Sequence, residues 1–150
     1  GPDRRLSPDL WRRNPGCRRR AGQLACWTIV PDDSDVPVGL IGVRAMDPQA
    51  SMVEGFAVVA QEFRGTPLFQ TAGRMVLGCL FSQMRVHRVE FRIDVRNGRA
   101  NGALRKLGAT QEGLLRRARK VHGECLDQVL WAIVSTDWTE TRPARTASVH

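Results

Sequence analysis

A chain of 150 residues, 42% hydrophobic and 25% charged, has the size and balance of one globular domain that builds its core without disulfide staples. No apolar run approaches the roughly 18 residues of a helical membrane span, and Cys17, Cys26, Cys79 and Cys125 show no paired metal-ligand spacing, so no metal site is expected and the thiols read as reduced, in a cytoplasmic protein. The net charge of +8 is concentrated at one end, where residues 1–20 hold seven arginines against Asp3 and Asp9, so the sum alone does not call for a nucleic-acid partner.

Gly1-Pro2 resembles the scar of a cleaved expression tag. Residues 1–23 are rich in Arg, Pro and Gly, with Leu6, Leu10 and Trp11 as the apolar anchors, and support at most a short helix. From Leu24 the texture changes: residues 24–30 read as a strand, Pro31 to Asp35 as a turn and 38–45 as a second strand closed by Asp47-Pro48, which together predict a hairpin. A third, β-rich stretch covers 52–60. After the loop Arg64-Gly65-Thr66, the residues Leu68, Ala72, Met75, Val76, Cys79, Leu80 and Met84 recur at helical spacing and predict a helix over 67–84.

In residues 88–94, Val89, Phe91 and Ile93 alternate with charged neighbours, the period of a half-buried strand. Asn97 is placed to cap a short helix ending at Leu107-Gly108, and two closing strands, 110–121 and 125–135, flank a turn at His122-Gly123-Glu124. The tail after Trp138 is polar and reads as disordered, giving a basic segment 1–23, a domain 24–138 and a tail 139–150. The order β-β-β-α-β-α-β-β, with a βαβ unit among hairpins, predicts an α+β fold: a mixed, mostly antiparallel sheet with flanking helices.

The stretch from Arg64 to Phe69 carries the most functional information. A strand, a tight turn and a helix aim unpaired N–H groups and the positive end of a helix dipole at one point, where an anion fits. Four separated features then coincide: Glu54-Gly55-Phe56-Ala57; Arg64-Gly65-Thr66; Arg88-Val89-Glu90 with Asp94 and Asn97; and Leu107-Gly108-Ala109 followed by Glu112-Gly113-Leu114-Leu115-Arg116. In this combination and order the chain resembles the GNAT superfamily of N-acetyltransferases, in particular the branch of ribosomal-protein N-terminal acetyltransferases, and the last feature, Asp127 and Asp137-Trp138 look typical of that branch.

The resemblance implies that acetyl-CoA is the acyl donor. The family loop follows the pattern Arg/Gln-x-x-Gly-x-Gly/Ala and holds the pyrophosphate on its backbone amides; Arg64 matches it, while Pro67 stands at the first glycine and Phe69 at the second. Arg64, Gly65, Thr66, Leu68 and Phe69 are therefore candidate cofactor contacts. Proline suits the first turn of a helix but lacks the N–H that a phosphate would use, a loss of roughly 1.5–3 kcal/mol of binding. Asn97 matches the family asparagine near the pantetheine, or is a plain helix cap; Asn101 and Arg105, further along the helix, face either the cofactor or solvent. The strand amides at Phe56, Ala57 and Val58 would polarise the thioester if Gly55 marks the family's bulge or splay.

For chemistry the resemblance points to Glu54 as catalytic base, directly or through water; the competing reading is a carboxylate paired with a basic neighbour. The family's tyrosine acid would stand four residues before Gly108, where the chain has Leu104, and there is no tyrosine anywhere in it. Ser82, Cys79, His87 or a water are the alternatives. Trp131 and Trp138 read as core aromatics, and Arg116, Arg117, Arg119 and Lys120 as a solvated face or a receiver for an acidic substrate.

Members of the branch begin with a strand and two helices that wall the acceptor groove, whereas about two dozen residues precede the strand at Leu24. The expectation is a wall supplied by a partner subunit such as a homodimer, a fragment of a longer protein, or lost transfer. The leading functional expectation is acetyl transfer from acetyl-CoA to an amine, either a protein N-terminus or a small molecule. The alternatives are a degenerate domain serving binding or assembly, and a basic ribosome- or nucleic-acid-associated protein, which lacks interleaved aromatics.

Overall fold

The structure is a computed structural model that describes residues 23–141; most of the expected basic segment and of the expected tail lies outside those residues. Six strands form one sheet: β1 (Gln23–Ile29), β2 (Gly39–Ala45), β3 (Met52–Val59), β4 (Arg88–Asp94), β5 (Thr110–Val121) and β6 (Glu124–Val134), in the spatial order β1-β2-β3-β4-β6-β5. Helix α1 (Pro67–Ser82) connects β3 to β4, α2 (Gly98–Leu107) connects β4 to β5, and α3 (Ser135–Thr141) follows β6. Among the described residues only β3 and β4 pair in parallel, and the other neighbouring pairs are antiparallel. This is the mixed, mostly antiparallel sheet expected from the βαβ unit among hairpins. Among the described residues no helix is long and apolar enough to cross a membrane.

Strand alternation sorts the side chains onto two faces. On one face Ile41 and Val43 of β2, Val53 of β3, and Val89 and Phe91 of β4 meet Leu68, Ala72, Val76, Leu77 and Leu80 of α1, all buried. Each Val, Leu, Ile or Phe among them contributes about 1.5–3 kcal/mol of transfer free energy when fully buried. Gly73 lets α1 approach α2: a Cβ there would stand 3.2 Å from both terminal methyl carbons of Leu107. The other face of β2, β3 and β4 carries charged residues and two exposed apolar ones, Phe56 and Val58.

Three details differ from the sequence expectation. Helix α1 ends at Ser82 rather than residue 84, because Gln83 N and Met84 N both donate to Cys79 O and Arg85 turns the chain at φ +57. The last strand stops at Val134, and Asp137-Trp138 lie on α3, so Trp138 reaches the core from a helix, with its ring 6.1 Å from that of Phe81. The β5–β6 hairpin is irregular between Leu115 and Arg119, where Arg117 takes φ +54 and its N–H donates to Asp127 Oδ1 at 2.8 Å, a break in the pairing of the two expected closing strands.

Candidate active site

The parallel ladder between β3 and β4 spans only Met52↔Arg88, Val53↔Val89 and Glu54↔Glu90. Beyond Glu54 the two strands part. Strand β3 meanwhile stays in unbroken register with β2 out to Gly39↔Val59, so Gly55 marks a splay and not a bulge. The physical reason for glycine there is Phe91: a Cβ on Gly55 would lie 2.4 Å from the Phe91 ring.

The splay frees backbone groups. At the two ends of the β2–β3 ladder, Met46 N donates to Met52 O at 2.9 Å and Ala60 N donates to Val38 O at 2.7 Å, so even-numbered residues of β3 bond to β2. Odd-numbered residues therefore point the other way, into the gap left by β4. Val59 O on that edge accepts from Arg64 Nε at 3.0 Å. Ala57 N–H points the same way, with no β4 residue paired opposite it.

A cleft of about 740 Å³ fills this gap and runs on to the N-termini of both helices. Phe56, Ala57, Val58, Arg64, Gly65 and Thr66 line its β3 side, and Phe69 and Asn97 line it from the helices. Of the remaining expected contacts, Leu68 places its side chain in the core, where it is buried, so it can offer the cleft only its amide. Asn101 and Arg105 are absent from the lining. Asn101 Nδ2 donates to Asp94 O at 3.1 Å and Asn97 O at 2.8 Å, while its Oδ1 accepts from Trp131 Nε1 at 2.8 Å. Arg105 stacks its guanidinium on Trp131, 5.5 Å from the ring centroid. Both residues fasten α2 to the sheet.

The two helix starts at the cleft are built differently. Gly65 takes φ +78, a left-handed turn that suits glycine, and delivers the chain to Thr66 at the N-cap of α1. The Thr66 hydroxyl turns back to donate to Phe63 O at 2.6 Å and makes no cap. With Pro67 at the first helical position, the N–H groups of Leu68 and Phe69 have neither an intrahelical acceptor nor a side-chain one. At α2, by contrast, Asn97 Oδ1 accepts from Ala100 N at 3.1 Å, so Asn97 is a helix cap and a cleft residue at once.

Leu104, at the position of the expected tyrosine, is buried and presents an apolar surface to the cleft. The alternative proton donors lie elsewhere: Cys79 and Ser82 sit near the C-terminal end of α1, and His87 just before β4. Burial pushes the Cys79 thiol above its ordinary value, and Ser82 Oγ donates to Gly78 O at 2.5 Å. Sequence reasoning missed Gln70, which lines the cleft and ties the helices together by donating from Nε2 to Ala103 O at 3.0 Å. It also missed the cations Arg99 and Lys106 at the α2 side of the cleft. The available signal was helical spacing from Arg99: residues 99, 102, 103 and 106 share one face of α2, opposite the face of Asn101 and Arg105.

Glu54 lies on the open face beside the splay and does not line the cleft. It ion-pairs with Arg44 across the β2–β3 pair, and its Oε2 is 3.6 Å from Arg92 Nε. The chain of charges continues: Arg92 Nη2 is 3.9 Å from Glu90 Oε1, and Arg88 holds Glu90 at 2.9 Å and Glu112 at 2.6 Å. The hydrogen bonds from Arg88 hold the Glu112 carboxyl below the usual carboxylate range, and those to Glu112 raise the Arg88 guanidinium further above its own.

The family model described as an acetyltransferase (GNAT) domain matches residues 7–110, more than half of the chain. Among solved structures, a presumed acetyltransferase from T. thermophilus is 30% identical with a TM-score of 0.71; the match covers 81% of this chain but only 63% of the length of that one. The spermidine/spermine N-acetyltransferase SpeG from Vibrio cholerae, in mutant form, is 17% identical with a TM-score of 0.73, covering 81% of this chain and 72% of that one. A ribosomal-protein alanine acetyltransferase from Vibrio fischeri is 17% identical with a TM-score of 0.70, covering 79% and 64%. At these lower identities the likeness concerns the fold. No curated protein matches the chain.

Proposed function

This chain belongs to the GNAT acetyltransferase family, and from that premise we propose that it moves an acetyl group from acetyl-CoA to a primary amine by direct attack in a ternary complex. The observation that carries the reading is the parting of β3 and β4 in front of an uncapped helix N-terminus. The amides of Leu68 and Phe69, at the positive end of the α1 dipole, receive the pyrophosphate together with the Gly65-Thr66 turn. Arg64, anchored on Val59 O, brings its positive charge to the same mouth. Asn97 uses Oδ1 as a cap, which leaves Nδ2 for a carbonyl of the pantetheine arm.

Ala57 N–H, on the splayed edge, donates to the thioester oxygen as it becomes an oxyanion. The amine nitrogen attacks the carbonyl carbon, the new N–C bond forms and the C–S bond breaks. The proton shed by the amine goes to Glu54, directly or through a water on the open face, and the departing thiolate takes a proton from water. A thiolate is a weak enough base for water to serve, which suits the apolar Leu104 where a tyrosine would stand.

A second reading, a donor-binding or assembly module with weak or no transfer, is favoured by the same two departures, Pro67 and Leu104. Calorimetric titration with acetyl-CoA, run beside a thiol-release assay, separates the two. The first reading predicts a saturable heat, a higher Tm with acetyl-CoA present, and an affinity that Pro67→Gly raises by about tenfold or more as one phosphate donor returns. Binding without thiol release for any amine supports the second reading. No binding at millimolar acetyl-CoA by either the wild type or Pro67→Gly overturns both.

A further inference from the structure

The cleft opens through the splay onto the face of the sheet that the helices leave uncovered, because Phe56 and Val58, whose side chains stand on that face, also line it. An amine reaching the thioester from this side meets two kinds of surface. One is apolar. Phe56 is 42% and Val58 60% exposed, and the far end of the Phe56 ring reaches over Gly42, where a Cβ would come within 2.2 Å of a ring carbon. The other is cationic, although its formal charges balance.

The balance hides a layering. Arg44 and Arg92 are 55% and 42% exposed, whereas the carboxylates they contact, Glu54 and Glu90, are only 18% and 11% exposed. Two residues beyond Arg92 on β4, Asp94 is paired with the more exposed Arg119 in the same way. An incoming molecule therefore touches guanidinium groups first, and the carboxylates lie beneath them. A polyamine would have to displace arginines from Glu54, Glu90 and Asp94 before finding a counter-charge. A carboxylate would find exposed, planar, bidentate donors already in place.

Building on the transfer reading above, we infer that the acceptor is a small apolar amine that also carries a carboxylate, with its carboxylate against Arg92 and Arg44 and its apolar body on Phe56 and Val58. The amine then lies at the wedge beside Glu54. The positive charge of the ladder selects the acceptor, and the exposed aromatic ring orients it toward the thioester.

The test uses the full chain with acetyl-CoA and three acceptors: L-phenylalanine, phenethylamine, which lacks the carboxylate, and spermidine. Thiol release should give a kcat/KM for L-phenylalanine at least about tenfold above that for phenethylamine, with the difference carried by KM and spermidine at background. Arg44→Gln combined with Arg92→Gln should bring the ratio to within about threefold of one. A parallel titration compares binding of N-acetyl-L-phenylalanine with that of N-acetylphenethylamine and needs no turnover. Preference for the carboxylate-bearing product without thiol release from any amine upholds the inference and sinks the transfer reading. Transfer to spermidine or phenethylamine at an equal or greater rate, an unchanged ratio in the double variant, or no binding of either product overturns the inference.

Discussion

Two helices begin at the same cleft, and they finish their first turns in opposite ways. Helix α2 satisfies itself: Asn97 caps Ala100 N, and Asn101 and Trp131 fasten the turn to β4 and β6. Helix α1 does not, since Thr66 is a residue type able to cap but spends its hydroxyl on Phe63 O. An end that closes on its own side chains uses up its donors, and an end that leaves the Leu68 and Phe69 amides open still offers them to an anion. Local chemistry thus finishes differently two helices that both follow a residue type able to cap, Thr66 and Asn97.

The contrast can be broken from the α2 side with the largest effect. Trp131 is 2% exposed, donates to Asn101 and carries Arg105 on its face, so Trp131→Ala should destabilise the fold by about 3–5 kcal/mol in denaturant unfolding. From the α1 side, Thr66→Asp would supply the missing cap. It should stabilise the chain by about 0.5–1 kcal/mol while weakening acetyl-CoA binding at least about tenfold, since the new carboxylate occupies and repels the phosphate position. Asn97→Ala should cost a similar 0.5–2 kcal/mol, typically about 1, of stability, with a smaller effect on donor affinity than Thr66→Asp has. Opposite signs for stability and affinity at α1, together with a loss of stability at α2, would confirm the division of labour; the same sign at both would dissolve it.

The smallest effect concerns a third turn, self-satisfied like that of α2. Asp47 accepts from Met52 N at 3.0 Å and Ser51 N at 2.8 Å, and these bonds, with the Ser51 hydroxyl, hold its carboxyl below the ordinary value. A carboxyl depressed by folding stabilises the native state above its unfolded pKa, and that contribution disappears as pH falls through the lower folded value. The Tm should therefore fall in acid, and Asp47→Asn should flatten part of that limb while leaving the slope near neutrality unchanged.

Much of the architecture was legible from periodicity. Val89, Phe91 and Ile93 at period two, and Leu68, Ala72, Val76 and Leu80 at helical spacing, set β4 and α1 because one buried face imposes one period. Where the outcome depended on pairing between distant strands, the sequence was silent. The arginine partners of Glu54 come from β2 and β4 and became visible only with the register Arg44↔Glu54 and the splay after Glu90. Asn101 and Arg105 were expected at the cleft from helical spacing, but a helix also has a side facing the sheet, and Trp131 drew both toward it. Trp138 was legible as a core aromatic, but not the helix that carries it, because an aromatic just beyond an apolar run can pack equally well from either kind of element.

Donor binding at the open end of α1 is tested most directly by a structure of the chain with acetyl-CoA bound. The pyrophosphate should lie within hydrogen-bond distance, about 3 Å, of the amides of Leu68 and Phe69, with the thioester carbonyl turned toward Ala57 N–H. A pyrophosphate bound away from the Gly65–Phe69 turn, or a thioester outside the gap between β3 and β4, would contradict it.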